Sequence, residues 1–238
     1  MGGHDGSART KLIEYFSAST GGSTTNFGDL FHTVWTAQGN SNEIRGIHGG
    51  GNSPSPGYSD TISYITIASE GDAIDFGDFT QNATGGITVT SSTRGVFAIG
   101  GQGGSYVNSI EYVEIMTLGN ALDFGDLVTA NWNITAASSP TRGFTFGGSP
   151  NNPRYVTVTI ASKGNAIDFG GLAASVNSAM GCANPTRAVI MGGQNPTNIA
   201  TMETIQMSSG GNFVIFGELT EVRSLGTGSA TATRACSI

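Results

Sequence analysis

Residues 164–170 read GNAIDFG, residues 119–125 read GNALDFG, and residues 71–77 read GDAIDFG. The phenylalanine of this heptapeptide recurs along the chain at steps of 49, 48, 45 and 47 residues, as Phe27, Phe76, Phe124, Phe169 and Phe216. Self-similarity at a period of this size indicates that one small structural unit is repeated. The sequence therefore predicts five units of about 45–49 residues each.

An arginine recurs in every unit, 15 residues after a leucine or phenylalanine that follows the heptapeptide: Arg45, Arg94, Arg142, Arg187 and Arg234. A glycine pair follows the first four of these arginines, but the fifth arginine lies close to the end of the sequence. Gly2 and Gly3 complete the pattern if Ile238 is joined to Gly2, because the step from Arg234 to Gly2 is then 5 residues, as from Arg142 to Gly147. This circular pattern favours a closed ring over an open stack of repeats.

Each unit also divides into four short strands. In one unit, alternating residues 109–116, 121–128, 133–138 and 143–146 are separated by short polar turns, which is typical of an antiparallel meander. We therefore predict an all-β fold, a five-bladed β-propeller of four-stranded antiparallel blades, as a single domain over residues 1–238. Pairing of residues 235–238 with strands from the first fifty residues is expected to close the ring.

Composition limits the classes of function. Only 10 lysines and arginines and a net charge of -7 argue against a nucleic-acid partner, because phosphate binding needs a concentrated basic face. The sequence shows no apolar run long enough for membrane insertion and no signal peptide, so a soluble protein is expected. The histidines and cysteines lack metal-like or redox spacing, so we expect no metal and no cofactor.

Catalytic residues are not apparent either. Asp29, Asp78, Asp126 and Glu218 all occupy one repeated position. That pattern is typical of structural residues, whereas a glycosidase needs two opposed carboxylates that flank a sugar. We predict no catalytic residues and a protein that is not an enzyme, with a glycosidase-like enzyme as a distant third interpretation.

The repeat also resembles known families. A glycine pair, then a strand with a tyrosine such as Tyr64 or Tyr112, then a large aromatic residue, resembles the kelch repeat of β-propellers. The stretches YITIAS (64–69), GNALDFGDL (119–127) and SSTRGVF (91–97) resemble repeats in structural and tail-fibre proteins of aquatic tailed phages. This resemblance implies a structural protein of the virion, as a capsid or tail decoration or an adhesive tip for host attachment. Its expected location is the particle surface, and its expected partners are other virion proteins.

Candidate binding residues lie on loops of variable length. In a meander, the loops after the glycine pairs share a face with the connections between units, and variable loops on a rigid scaffold often bind partners. The candidates there are Trp35, Trp132, Tyr58, Gln102, Tyr106, Asn108, Asn151, Asn152, Gln194 and Asn195. Aromatic rings beside amides suit a sugar, so the alternative function is a lectin-like, carbohydrate-binding propeller for host-surface glycans. The other interpretation of each tryptophan is packing between two blades.

The five repeated arginines have two interpretations. Asp75, Asp123 and Asp168 start a strand on the same face, so the arginines of those units are expected to be structural and to pair with these carboxylates. The alternative is a cationic ring that binds an anion, for which Arg45 and Arg234 are the better candidates because their units lack the matching acid.

Overall fold

The computed structural model describes residues 1–4, 7–17, 19–54, 57–102, 104–150, 152–231 and 234–237. Within these residues the chain forms only strands, turns and bends, so the predicted all-β class is confirmed. The chain begins with two short antiparallel hairpins, formed by β1 (Gly3–His4) with β2 (Arg9–Thr10) and by β3 (Leu12–Tyr15) with β4 (Thr25–Asp29). We call residues 12–29 the N-terminal hairpin.

Four antiparallel sheets of four strands follow. The first sheet contains β5 (Gln38–Ser41), β6 (Arg45–Gly49), β7 (Ser59–Thr66) and β8 (Ile74–Ala83). The second sheet contains β9 (Ile87–Thr90), β10 (Arg94–Ala98), β13 (Ser109–Glu114) and β14 (Leu122–Asp126), and its loop carries the small hairpin of β11 (Gly101–Gln102) and β12 (Ser105–Tyr106).

The third and fourth sheets repeat the same meander. The third contains β15 (Thr135–Ser138), β16 (Arg142–Phe146), β17 (Arg154–Thr159) and β18 (Ile167–Gly171). The fourth contains β19 (Met180–Ala183), β20 (Arg187–Met191), β21 (Thr201–Gln206) and β22 (Val214–Glu218). The chain then forms the C-terminal hairpin (residues 228–237) from β23 (Gly228–Ala230) and β24 (Ala235–Ser237).

Apolar side chains fill the gaps between successive sheets. Between the second and third sheets, Phe124 packs in a buried cluster that includes Val158 and Ile160. Equivalent clusters join the first sheet to the second and the third to the fourth. Since burial of one large apolar side chain contributes about 1.5–3 kcal/mol, these clusters supply most of the stability between sheets.

The repeated heptapeptide links one sheet to the next. The carbonyl of Phe76 accepts a hydrogen bond from Gly119 N at 2.9 Å, and the carbonyl of Asp78 accepts one from Ala121 N at 2.8 Å. Asp78 N donates in turn to Asn120 Oδ1 at 3.1 Å. We call these three hydrogen bonds the clasp. Equivalent clasps join residues 27–29 to 71–73, residues 124–126 to 164–166, and residues 169–171 to 211–213.

The clasp explains the invariant glycine after the phenylalanine. A Cβ atom at Gly77 would lie 2.5 Å from the carbonyl group of Gly119 in the neighbouring sheet, which is closer than real Cβ contacts allow. Gly77 also has a φ of 141°, which side chains disfavour. The contact with the next sheet therefore requires glycine at this position.

A second set of backbone hydrogen bonds surrounds a central cavity of about 480 Å³. Gly85 N donates to Thr36 O, Asn133 N to Gly85 O, Ser178 N to Asn133 O, and Leu225 N to Ser178 O, at 2.9–3.2 Å. We call these bonds the backbone circuit. Each residue of the circuit has a left-handed φ between 51° and 61° and lies just before the inner strand of its unit.

The clasps and the backbone circuit are both interrupted at one gap, which we call the seam. It separates the fourth sheet and the segment after it, including Leu225, from the N-terminal hairpin and the segment after it, including Thr36. Among the described residues, residues 216–218 form no clasp with residues 22–24, and Thr36 N makes no bond to Leu225 O. Here β24 pairs with β23 and β3 with β4. The predicted pairing of residues 235–237 with the N-terminal strands is therefore not observed, and Ile238 lies outside the described residues.

Part of the circular pattern is nevertheless present at the N-terminus. Gly2 N donates to Leu12 O at 3.0 Å and Gly3 N to Val34 O at 2.9 Å. Gly147 and Gly148 make the equivalent bonds, to Arg154 O and Val176 O. Gly2 and Gly3 therefore serve as a glycine pair, as the repeat predicts.

Candidate functional site

The variable loops and the connections between units lie on one face, as predicted. We call this the loop face; it comprises the described parts of residues 30–37, 50–58, 84–86, 99–108, 127–134, 147–153, 172–179 and 192–200. Backbone bridges join Trp35 to Asn52, Trp132 to Ser149 and Asn177 to Gln194, and so connect the two sets of segments. Each of these variable loops is thereby fixed at its base to the connection that precedes its own sheet.

An aromatic pair is the most prominent feature of the loop face. The rings of Tyr106 and Trp132 stack with centroids 6.1 Å apart and planes 18° apart. Tyr106 is 45% exposed, and its hydroxyl lies 3.4 Å from Ser149 Oγ. Trp132 packs against Gly85 so closely that no Cβ could be accommodated there. Trp132 thus fills a gap between the second and third sheets, while Tyr106 presents a ring to solvent.

Trp35 occupies the equivalent position before the first sheet but has a different environment. Its side chain is 43% exposed. The residue equivalent to Gly85 in the preceding unit is Leu225, which is 77% exposed and lies across the seam. The two tryptophans are therefore not brought together into one site.

Most of the candidate amides hold the loops in shape. Asn152 Oδ1 accepts from Arg154 N at 2.9 Å, and Gln194 Nε2 donates to Asn198 Oδ1 at 3.2 Å. The backbones of Asn108, Asn195 and Tyr58 make local bonds with Leu127, Thr197 and Asn52. Asn151 and the side chain of Gln102 lie outside the described residues. The candidates are spread over several loops and do not line one common pocket.

The repeated arginines lie between sheets, but the predicted aspartate partners were wrong. Arg45 stacks over Tyr64, with 4.4 Å from its guanidinium carbon to the ring centroid, and donates to Ile115 O of the second sheet at 3.0 Å. Arg142 lies over Phe169 and donates to Met207 O of the fourth sheet. These hydrogen bonds to the next sheet explain why an arginine recurs at the same position of the repeat. They also make Arg45 a poor anion candidate.

Arg94 makes the fullest set of contacts. It forms an ion pair with Glu114 at 2.6 Å, donates to Ile160 O at 2.8 Å, and lies over Tyr112 at 4.6 Å. The aspartates that were expected to pair with the repeated arginines have other partners. Asp168 forms an ion pair with Arg154, and Asp75 accepts a hydrogen bond from Gly77 N. Asp123, like these two, is exposed at the start of its strand. Arg187 and Arg234 line a cleft of about 490 Å³ between the fourth sheet and the C-terminal hairpin.

Two buried glutamates were missed by the sequence analysis. Glu111 is 2% exposed and accepts from Thr80 N at 2.9 Å and Thr80 Oγ1 at 2.6 Å across the gap between the first and second sheets. Glu203 accepts from Ala173 N, and burial raises its pKa. A signal was available, since Glu14, Glu111 and Glu203 share one repeated position.

The described residues contain no group of three or more His, Cys, Asp or Glu that could hold a metal ion. His48 is buried in the first sheet, and this burial lowers its pKa to about 4. Burial also raises the pKa of the Cys182 thiol. Within the described part of the chain, no helix is long and apolar enough to cross a membrane.

Comparisons with known proteins bear on the fold. No protein-family model matches the sequence, and no curated protein is significantly similar to it. The chain is similar in structure to YjhT, with a TM-score of 0.72 and 10% sequence identity, over 96% of this chain and 86% of that one. At this identity the similarity shows a shared all-β, propeller-like arrangement of four-stranded sheets.

Proposed function

We propose that the chain is a single five-bladed β-propeller in which residues 228–237 and residues 12–29 share the fifth blade. The support is the equal geometry of the four clasps and the backbone circuit, which both leave one position for one more unit. Truncation after Thr231 tests this arrangement. A closed fifth blade predicts a large drop in melting temperature, and an unchanged melting temperature would contradict it.

We further propose that this propeller is a non-enzymatic binding platform of a virion. The observation that carries the platform role is the set of bridges that joins the variable loops to the connections between units on one face. The assignment to a virion rests on the resemblance of the repeats to phage structural and tail-fibre proteins. Other virion proteins are the proposed partners of the loop face, and the particle surface is the proposed location.

Chemical cross-linking of purified particles tests this proposal. A photoreactive amino acid at Tyr106, on the loop face, is expected to capture another virion protein. The same probe at Leu122, which is 55% exposed on a strand outside the loop face, is the matched control. Equal capture from both positions, or a chain missing from the particles, would contradict the proposal.

Glycan binding is the second candidate function, and one observation favours it. The exposed ring of Tyr106, held flat on Trp132, is a rigid aromatic surface of the kind that packs against sugars. On a glycan array, Tyr106→Ala is expected to abolish binding, whereas Tyr15→Ala, a similarly exposed tyrosine on the N-terminal hairpin, is expected to leave it unchanged. Absence of any glycan signal for the native chain would rule this function out.

A further inference from the structure

The seam leaves two matching surfaces unfilled. On the fourth sheet, Phe216 and Glu218 are the repeat equivalents of Phe76 and Asp78, whose backbone atoms make a clasp. On the N-terminal hairpin, Gly22 and Thr24 stand where Gly119 and Ala121 donate to that clasp. Both halves of a fifth clasp are therefore present in one chain, and neither is used among the described residues.

Exposed aromatic side chains mark the same two surfaces. Phe216 is 58% exposed, whereas its equivalent Phe76 is 3% exposed. Phe16 on the hairpin is 65% exposed, whereas its equivalent Val113 is 3% exposed and packs in one cluster with Phe76. Phe76 and Val113 pack together between the first and second sheets. Their equivalents at the seam, Phe216 and Phe16, are both exposed.

The edge strand of the fourth sheet is also more apolar than its equivalents. Ile215, which is 67% exposed, occupies the position at which the first three sheets carry Asp75, Asp123 and Asp168. An exposed apolar edge is unfavourable in water, and such edges commonly mark contact surfaces. The sequence at this edge therefore fits an apolar partner better than it fits solvent.

We infer that the seam is also an exchange site, at which the N-terminal hairpin of a second copy of this chain docks on the fourth sheet. This inference rests on the proposed five-bladed arrangement. The incoming hairpin forms the fifth clasp with Phe216 and Glu218 and covers Phe216 with its own Phe16. It keeps its existing clasp with the first sheet of its own copy, through Phe27 and Gly71, so no formed contact is lost.

The contact is head-to-tail, because each copy offers one hairpin and one fourth-sheet edge. Contacts of this kind either close into a ring of copies or continue as a chain of copies. Clustering of copies on a particle raises their effective concentration and favours the exchange. The exchange would thereby connect neighbouring copies of the proposed platform.

Disulfide trapping between two separate variants tests the exchange. In a background that carries C182A and C236A, one chain carries Ser23→Cys and another carries Glu218→Cys, at positions equivalent to Asn120 and Asp78 in a formed clasp. After mixing and oxidation, we expect a covalent dimer whose fraction rises with concentration. A chain with both Asn120→Cys and Asp78→Cys is the control and is expected to cross-link internally.

The outcomes separate this inference from the proposed fold. If the control cross-links but the mixed variants give no dimer at any concentration, the exchange is overturned. If a chain with both Ser23→Cys and Glu218→Cys cross-links only internally, the exchange is overturned while the closed propeller is supported. In sedimentation of the cysteine-containing native chain, Phe16→Ser is expected to weaken self-association by about tenfold or more, because it removes an aromatic contact. Unchanged self-association would contradict the inference.

Discussion

The interface between the second and third sheets and the seam are built from equivalent residues but differ in their contacts. At the formed interface, Phe124 is 2% exposed and its carbonyl accepts from Gly164 N at 2.8 Å. At the seam, Phe216 is 58% exposed and borders a cleft of about 490 Å³. The difference shows that the heptapeptide alone does not bury its phenylalanine. It needs the next unit, because the clasp is made between units.

Matched substitutions at the formed interface and at the seam measure how much the next unit contributes to the free energy of unfolding. Removing the ring of Phe124 in Phe124→Ala is expected to destabilise the fold by about 3–5 kcal/mol through lost burial and a cavity. Phe216→Ala is expected to cost less than about 1 kcal/mol because its ring is mostly solvated. Urea unfolding of both variants checks this. Equal losses would show that the seam is filled in solution.

The glycine after the phenylalanine gives the second contrast. Gly125→Ala places a Cβ 2.6 Å from the carbonyl of Gly164, at a φ of 142°, and is expected to cost about 2–4 kcal/mol through strain and overpacking. Gly217 has a similar φ of 159°, but a Cβ there meets only Met202 Cε at 3.3 Å. Gly217→Ala is expected to cost about 1 kcal/mol. Thermal unfolding followed by circular dichroism reports the difference, and a Gly217 variant as unstable as the Gly125 variant would indicate a formed fifth clasp.

At the formed interfaces, substitution of the glutamates is expected to change stability less than substitution of the phenylalanines or glycines. Glu111→Ala removes two hydrogen bonds from Thr80 to a buried carboxylate and is expected to cost about 1–3 kcal/mol. Glu14 is the equivalent residue next to the seam, and within the described residues its carboxylate accepts a side-chain hydrogen bond from Thr24 Oγ1 of its own exposed hairpin. Glu14→Ala is therefore expected to change stability by less than about 0.5 kcal/mol. Calorimetric unfolding of the pair checks this expectation, which a large loss for Glu14→Ala would contradict.

The arginines give the smallest expected difference. Arg94→Ala removes an ion pair and two carbonyl contacts in a half-buried setting, at a cost of about 1–2 kcal/mol. Arg187 lines the open cleft between the fourth sheet and the C-terminal hairpin, and Arg187→Ala is expected to cost about 0–0.5 kcal/mol. Hydrogen exchange at the neighbouring strand ends follows both variants. Stronger loss of protection for Arg187→Ala would reverse the assignment of formed and unformed interfaces.

Much of the fold could be predicted from the sequence, because it depends on local periodicity. Alternation within residues 109–116, with short polar turns, specifies a meander, and the spacing from leucine to arginine specifies the repeat. The face shared by the loops follows from the alternation of antiparallel connections. The role of Gly2 and Gly3 as a glycine pair followed from repeat arithmetic, whereas their partners Leu12 and Val34 are seen only in the structure.

The partners of side chains could not be predicted in the same way. Arg94 and Asp75 were predicted to lie on one face, but Arg94 contacts Glu114 of its own sheet and Ile160 O near the next sheet. Trp132 and Trp35 occupy equivalent positions, yet only Trp132 has a glycine of the preceding unit beneath it. Such contacts depend on three-dimensional packing between units, which sequence spacing does not encode.

The bases of the variable loops have a consequence for evolution. Gly51 N bonds to Ala83 O, Gly148 N to Val176 O, and Gly193 N to Arg223 O, so backbone hydrogen bonds anchor the start of three of the loops. Mutations between these anchors and the next strand leave the anchoring bonds intact. The sequences of these loops can therefore change while the backbone that carries them keeps its position.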